Sequence, residues 1–135
     1  MVEVDPVYGT VLNSVTYDTY VSFTEADNMA VFINSIASGN IVLSAVKDEA
    51  SSQMTGNAIA ALGTLVSGDP LSWRSSWAFI AIKGSPLSAI QNSASQYGGP
   101  VSVTTTINPV PVPSAVLLFA PGLVGLAAMR RRFKK

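Results

Sequence analysis

Residues 31–51 read VFINSIASGNIVLSAVKDEAS, and their pattern predicts, in succession, a helix end, a turn, a buried strand and the polar start of a second helix. A helix is predicted to start at the capping pair Thr24 and Asp27, because apolar residues then recur at the i, i+3, i+4, i+7 spacing of one helix face. These residues are Met29, Phe32, Ile33 and Ile36. Gly39 is predicted to end the helix. The almost wholly apolar run 41–46 predicts a central strand that is covered on both faces.

The rest of the body alternates predicted strands and helices. A second helix is predicted to begin at Asp48, Glu49 or Ser51 and to end near Leu62. Further predicted elements are strands at 11–20, 76–82 and 101–107 and a short helix from Pro86 to about Ala94. This order indicates an α/β fold over residues 1–108, with a compact, β-sandwich-like mixed sheet core and two to three helices.

The charges are few and are segregated along the chain. Charged residues make up 12% of the 135 residues, and all eight acids precede residue 70. With three cations, the first 129 residues therefore carry a net charge of −5. An acidic body without a basic face argues against a nucleic-acid partner. The chain has no histidine and no cysteine, which removes disulfides, thiolate nucleophiles and the commonest general base, and the sequence predicts neither a metal site nor a cofactor.

The C-terminal segment is first apolar and then strongly basic. Residues 115–129 carry no charge and have no polar helix face, which predicts a transmembrane helix. This helix is short, because a full span takes about 20 residues. The last six residues contain five cations: Arg130, Arg131, Arg132, Lys134 and Lys135. The positive-inside tendency keeps them in the cytoplasm and places the body outside. A buried core helix followed by a solvated basic end is the alternative.

The layout of residues 109–135 resembles a PEP-CTERM sorting signal of exopolysaccharide-producing Gram-negative bacteria. It has a proline pair, Pro111 and Pro113, then a short apolar helix with glycines, then the arginine cluster. Val112 stands between the prolines, where the motif has glutamate. The resemblance implies export, membrane retention through the C-terminal helix, and processing by an exosortase near the prolines.

The body resembles the interleukin-like EMT inducer (ILEI/PANDER) domain. The segments that carry the resemblance are VFINSIASGNIVLSAVKDEAS (31–51), ALGTL (61–65) and WRSSWAFIAIKG (73–84). Ser75 departs from the aspartate that the family has after its arginine. A signal peptide and the first strand of the family are expected upstream, because MVEVDPVYGT (1–10) shows neither.

The same domain occurs in the stem of a glycosyltransferase, and the resemblance implies sugar binding without catalysis at the strand ends. Carried onto this sequence, Asp48 accepts hydrogen bonds from sugar hydroxyls, Arg74 donates to them and Trp73 offers a stacking face. The alternative is that Asp48 and Arg74 form a salt bridge that holds the loop at residues 67–75. Trp77 begins an apolar strand and is predicted to be core.

The sequence thus predicts an exported, membrane-anchored, non-catalytic module of the cell envelope that presents a carbohydrate-binding face to an exopolysaccharide or biofilm matrix. One alternative is a structural surface or matrix protein without a ligand. Another is a carboxylate-dependent glycan hydrolase that uses Asp48 and Glu49. Carboxylates adjacent in sequence at a helix start do not face one another, which argues against the hydrolase.

Overall fold

The computed structural model describes residues 1–46, 48–68 and 71–106. Within this part the strands are β1 (Val2–Val4), β2 (Val11–Ser14), β3 (Ile41–Val46), β4 (Ser76–Ile82) and β5 (Ile90–Ala94), and the helices are α1 (Phe23–Ser35) and α2 (Gly56–Leu62). A single 3₁₀ turn at Pro86–Ser88 precedes β5. The fold class of mixed helices and strands is therefore confirmed.

The described strands form a five-stranded sheet in the order β2-β1-β3-β4-β5. Every neighbouring pair is antiparallel. The expected sandwich-like mixed sheet is wrong for these residues, because each strand joins this one sheet and none pairs in parallel. β3 has the predicted bounds and lies at the centre of the sheet, and β4 also has the predicted bounds.

The N-cap of helix α1 lies two residues before Thr24, the first residue of the predicted capping pair. Ser22 is the N-cap, and its Oγ accepts a hydrogen bond of 3.4 Å from the Glu25 N–H. The apolar stripe of α1 is as predicted: Met29, Ile33 and Ile36 are buried and Phe32 is half-buried. Gly39 lies in the turn beyond the helix at φ +93°, a conformation that glycine adopts without steric cost.

Helix α2 begins later than the sequence predicts. Its N-cap is Thr55, whose Oγ1 accepts from the Ala58 N–H at 3.2 Å and donates to the Asp27 carboxylate of α1 at 2.7 Å. The prediction that Asp48, Glu49 or Ser51 caps this helix is wrong. All three residues lie in the loop before it, so the carboxylates of Asp48 and Glu49 are available for other partners.

The core lies between the two helices and one face of the sheet. The largest fully buried side chains are Phe79, Ile33, Leu65, Val42 and Val66. Trp77 is 3% exposed and stacks at a tilt on Phe79, with ring centroids 4.8 Å apart. The prediction that Trp77 is a core residue is therefore confirmed.

The last part of the described chain differs from the prediction. The helix predicted from Pro86 to Ala94 is replaced by the 3₁₀ turn and by β5, in which Ile90 lies opposite Ile80. Residues 101–106 form no strand, so that prediction is wrong for them. In the described ranges no helix has both the length and the apolar character that crossing a membrane requires. The predicted span 115–129 lies outside the described residues.

Candidate functional site

Three loops meet at the end of the sheet where β3 stops and β4 starts. The first loop (15–22) joins β2 to α1, the second loop (48–55) leads from β3 to α2, and the third loop, described at 67–68 and 71–75, leads into β4. Val46 at the end of β3 lies opposite Trp77 at the start of β4. The antiparallel pairing therefore brings the second and third loops side by side.

Thr19 connects the first loop to the second. Its side chain is buried, and its Oγ1 donates to the carbonyl of Ala50 at 2.8 Å. The Gln53 N–H donates to the Thr19 carbonyl at 2.9 Å. These two bonds satisfy buried polar groups of both loops, which fixes the first loop against the second.

Glu49 connects the second loop to the third. One carboxylate oxygen accepts from the Ser51 N–H and hydroxyl, and the other accepts from the Arg74 N–H. Burial alone would raise the pKa of Glu49, but the hydrogen bonds from Ser51 and from the Arg74 backbone outweigh it and lower the pKa. Glu49 is thus an ionised carboxylate that holds the two loops together.

Asp48 and Arg74 form an ion pair at the surface of the site. The Arg74 Nε donates to the Asp48 Oδ1 at 3.1 Å. The side chains are 63% and 56% exposed, respectively. Both backbones are left-handed, with φ +67° at Asp48 and +52° at Arg74, and these are the two non-glycine residues with positive φ in the described chain. Strained backbone of this kind clusters at functional sites.

A cavity of about 390 Å³ opens between the three loops. Its walls are Asp18, Tyr20, Asp48, Glu49, Trp73 and Arg74. Trp73 is 60% exposed and Tyr20 is 49% exposed, so each presents aromatic surface to solvent beside the ion pair. This volume lies within the usual range of about 300–1,000 Å³ for ligand pockets.

A second cavity, of about 510 Å³, adjoins the first. It shares Asp18 and Glu49 with the first cavity and adds Tyr17, Glu25 and Ser44, among others. Burial, and then the negative charge of Glu25, raises the pKa of Tyr17. The Tyr17 hydroxyl therefore stays protonated at neutral pH and can donate a hydrogen bond.

The structure brings together the three residues that were predicted to bind sugar, since Asp48, Arg74 and Trp73 all line the first cavity. The salt bridge of the alternative prediction also forms. Sequence reasoning missed Asp18 and Tyr20. The one signal for them was an aspartate that begins a turn, in which Asp18 Oδ1 accepts from the Tyr20 and Val21 N–H groups at 3.2 Å each.

The remaining site residues lie elsewhere or are not described. Trp77 faces the core and donates from its indole nitrogen to Gln91 at 3.1 Å. The sorting motif Pro111, Val112 and Pro113 and the five terminal cations lie outside the described residues. In the part of the chain that is described, no group of three or more histidines, cysteines or carboxylates could hold a metal ion.

Comparison with known proteins gives one family and two curated relatives. The family model described as "Interleukin-like EMT inducer" matches residues 1–85. The human "Cell migration-inducing and hyaluronan-binding protein" is 33% identical over 97 residues, which make up 70% of this chain and 7% of that protein. The mouse protein of the same name gives the same values. The chain thus spans about 7% of the length of these relatives.

Proposed function

Because the chain belongs to the interleukin-like EMT inducer family, we propose that it is a non-catalytic binding module whose first cavity takes carbohydrate. The observation that carries this proposal is the exposed Asp48–Arg74 pair beside the exposed ring of Trp73. A carboxylate, a guanidinium and an aromatic face supply the acceptors, the donors and the apolar surface that a sugar ring requires.

The Arg74 guanidinium has N–H donors that can bind a ligand. Its described contact with Asp48 uses Nε alone, and neither terminal nitrogen of Arg74 donates to another described residue. Asp48 likewise keeps Oδ2 without a described partner. Sugar hydroxyls that pair with these groups would make charge-assisted hydrogen bonds, which are about twice as strong as neutral ones.

A purely structural role for the ion pair has less support. Exposed ion pairs contribute only about 0–1 kcal/mol to stability, and this pair is exposed on both sides. The loops are held instead by Glu49 and Thr19. An ion pair that the fold does not need, between two residues with strained backbone, is better explained as a binding feature.

The same contacts argue against the hydrolase alternative. A general acid has to be protonated near neutral pH, whereas hydrogen bonds hold the pKa of Glu49 below its usual range despite some burial. Asp48 is engaged with Arg74 rather than with Glu49. The name of the human relative, a hyaluronan-binding protein, supports a glycan as the ligand class without fixing which glycan it is.

We propose that the protein is exported and works in the cell envelope of an exopolysaccharide-producing bacterium. The support is the sequence of residues 109–135, in which Pro111 and Pro113 precede an apolar segment and a basic end. An exosortase would process the tail near these prolines, and the apolar segment 115–129 would retain the unprocessed chain in the membrane. The body would then meet glycans of the surrounding matrix.

Binding to a glycan array tests the carbohydrate proposal. Wild-type protein is expected to bind a defined set of glycans, and Asp48→Ala and Arg74→Ala are expected to lose that binding while the melting temperature shifts by no more than a few degrees. Asn57→Ala is the matched control, because Asn57 is exposed on α2 and does not line the cavity. Binding that persists in both site variants, or an array without any bound glycan, contradicts the proposal and favours a structural surface protein without a ligand.

A further inference from the structure

The two adjoining cavities differ from an anion-binding site in the charge of their walls. In the described part of the chain, four carboxylates line them, from Asp18, Glu25, Asp48 and Glu49, against two cationic groups, the guanidinium of Arg74 and the N-terminal ammonium group of Met1. That guanidinium is already paired with Asp48. The described walls of the two cavities therefore carry more negative than positive charge, whereas hyaluronan, which the name of the human relative mentions, is an anionic glycan.

We infer that the site selects uncharged oligosaccharides over uronate-containing ones, and that Asp18 is the residue that sets this selectivity. The inference rests on the proposed carbohydrate-binding function and names its ligand class. Asp18 and Glu49 are the two carboxylates shared by both cavities. An oligosaccharide that occupies both cavities therefore lies beside both of these carboxylates.

Asp18 acts on the ligand more directly than Glu49 does. Both carboxylate oxygens of Glu49 accept hydrogen bonds from the second and third loops, which disperses its charge over protein donors. Asp18 accepts through Oδ1 alone, from two backbone N–H groups at 3.2 Å, and is exposed. Its Oδ2 accepts no hydrogen bond from the described residues. The negative charge of Asp18 would therefore repel an anionic sugar in the site.

The size of the effect follows from Coulomb's law in water. Two like charges about 6 Å apart repel enough at low salt to weaken binding by about two- to fourfold for each carboxylate–uronate pair. Several such pairs act on a glycan with two uronates, so discrimination of about tenfold or more is expected. Salt screens the repulsion over a Debye length of about 8 Å at physiological ionic strength, so binding of the anionic glycan should tighten as salt is added.

The experiment compares four-sugar ligands on the full chain. Affinities for cellotetraose, tetra-N-acetylchitotetraose and a hyaluronan tetrasaccharide are measured in 20 mM and 300 mM NaCl through emission changes of the exposed Trp73. The variant is Asp18→Asn, because asparagine keeps an oxygen that can accept from the Tyr20 and Val21 N–H groups and removes only the charge.

Asp5→Asn is the matched control. Asp5 Oδ1 accepts from the Val7 and Tyr8 N–H groups at 2.7 and 2.9 Å in the same type of turn. This turn follows β1 at the opposite end of the sheet. Any general effect of lost negative charge, including attraction of anions to the basic C-terminus, appears equally in this control.

The expected result is that the neutral-to-anionic affinity ratio at low salt is about ten or more in the wild type and falls about two- to fourfold in Asp18→Asn, while Asp5→Asn keeps the wild-type ratio. Tighter binding of hyaluronan to the site, with an affinity that falls as salt rises, overturns the inference and leaves the carbohydrate proposal standing. If none of the three ligands changes the Trp73 emission, the carbohydrate proposal fails and the inference fails with it.

Discussion

The Arg74 guanidinium forms an ion pair with the Asp48 carboxylate at 3.1 Å, and both residues adopt the left-handed backbone conformation, with φ +52° at Arg74 and +67° at Asp48. Aspartate tolerates this conformation better than arginine does. The backbone of Arg74 is held there by Glu49, which accepts its N–H. Backbone strain, a fixing hydrogen bond and an exposed charge pair therefore coincide at one position, beside the largest exposed aromatic side chain of the cavity.

Arg74→Gly separates binding from stability. Glycine adopts φ +52° without strain, and the exposed ion pair contributes about 0–1 kcal/mol. The free energy of unfolding, measured by urea titration, is therefore expected to stay within about 1 kcal/mol of wild type, while glycan binding is lost. A loss of more than about 2 kcal/mol would show that the ion pair has a structural role.

Glu49→Gln should destabilise the fold by about 1–2 kcal/mol at pH 7, because it weakens charge-assisted hydrogen bonds between two loops. The pKa of Glu49 is lowered in the folded state. The stabilisation that Glu49 gives to the folded state is therefore fully present above its pKa in the unfolded chain, about 4.3. It is lost as the pH falls through its lower pKa in the folded chain. Urea titrations at pH 7 and pH 3 should show the difference between wild type and variant shrinking in acid. An equal difference at both pH values contradicts the role assigned to this carboxylate.

Ile33→Ala tests the core between α1 and the sheet. Ile33 is fully buried, so the substitution should cost about 2–5 kcal/mol. Val31→Ala on the same helix is the control, because Val31 is 69% exposed and its change should stay within about 0.5 kcal/mol. Thermal or urea unfolding measures both, and equal effects would mean that α1 presents a different face to the sheet.

Trp73→Ala should abolish glycan binding, whereas Trp73→Phe should retain part of it, because phenylalanine keeps an aromatic face. Trp73 is 60% exposed, so neither variant should shift the melting temperature by more than a few degrees. Calorimetric titration with an array-selected glycan measures both affinities. Equal affinities of the alanine variant and the wild type would show that stacking on Trp73 does not contribute to glycan binding.

The tail prediction is tested by intact mass. Expressed behind a signal peptide in hosts with and without an exosortase, the protein should lose its tail near Pro113 only where the enzyme is present. Val112→Glu restores the residue of the motif and should raise the processed fraction. The same uncleaved, membrane-retained mass in both hosts, for wild type and variant alike, would mean that residues 109–135 are a plain anchor.

Strong periodicity explains which elements were predictable. The apolar run 41–46 and the run 76–82 gave strands with correct bounds, and the helical spacing from Met29 to Ile36 gave the buried stripe of α1. β5 was missed because Ile90–Ala94 reads IQNSA, which has little β-branched or aromatic content. Its strand conformation depends on the ladder that it forms with β4, which is tertiary context.

The site was predictable only in part for a related reason. Asp48, Thr55 and Ser51 are all chemically suitable helix caps, and the sequence does not show that Thr55 is used and that Asp48 turns back toward Arg74. The link from Glu49 to the Arg74 backbone joins residues 25 positions apart. Asp18 and Tyr20 are farther still from Arg74 in sequence, and only the folded loops bring them to the same cavity.

The most direct test of the central claim is to map the bound glycan by NMR. Titration of the array-selected glycan into labelled protein should shift the amide signals of Asp18, Tyr20, Asp48, Glu49 and Arg74 in a saturable way and leave those of α2 in place. The same titration of Arg74→Gly should leave all signals unshifted. Saturable shifts confined to another surface, such as the exposed face of β5, would contradict the assignment of the three-loop cavity as the carbohydrate site.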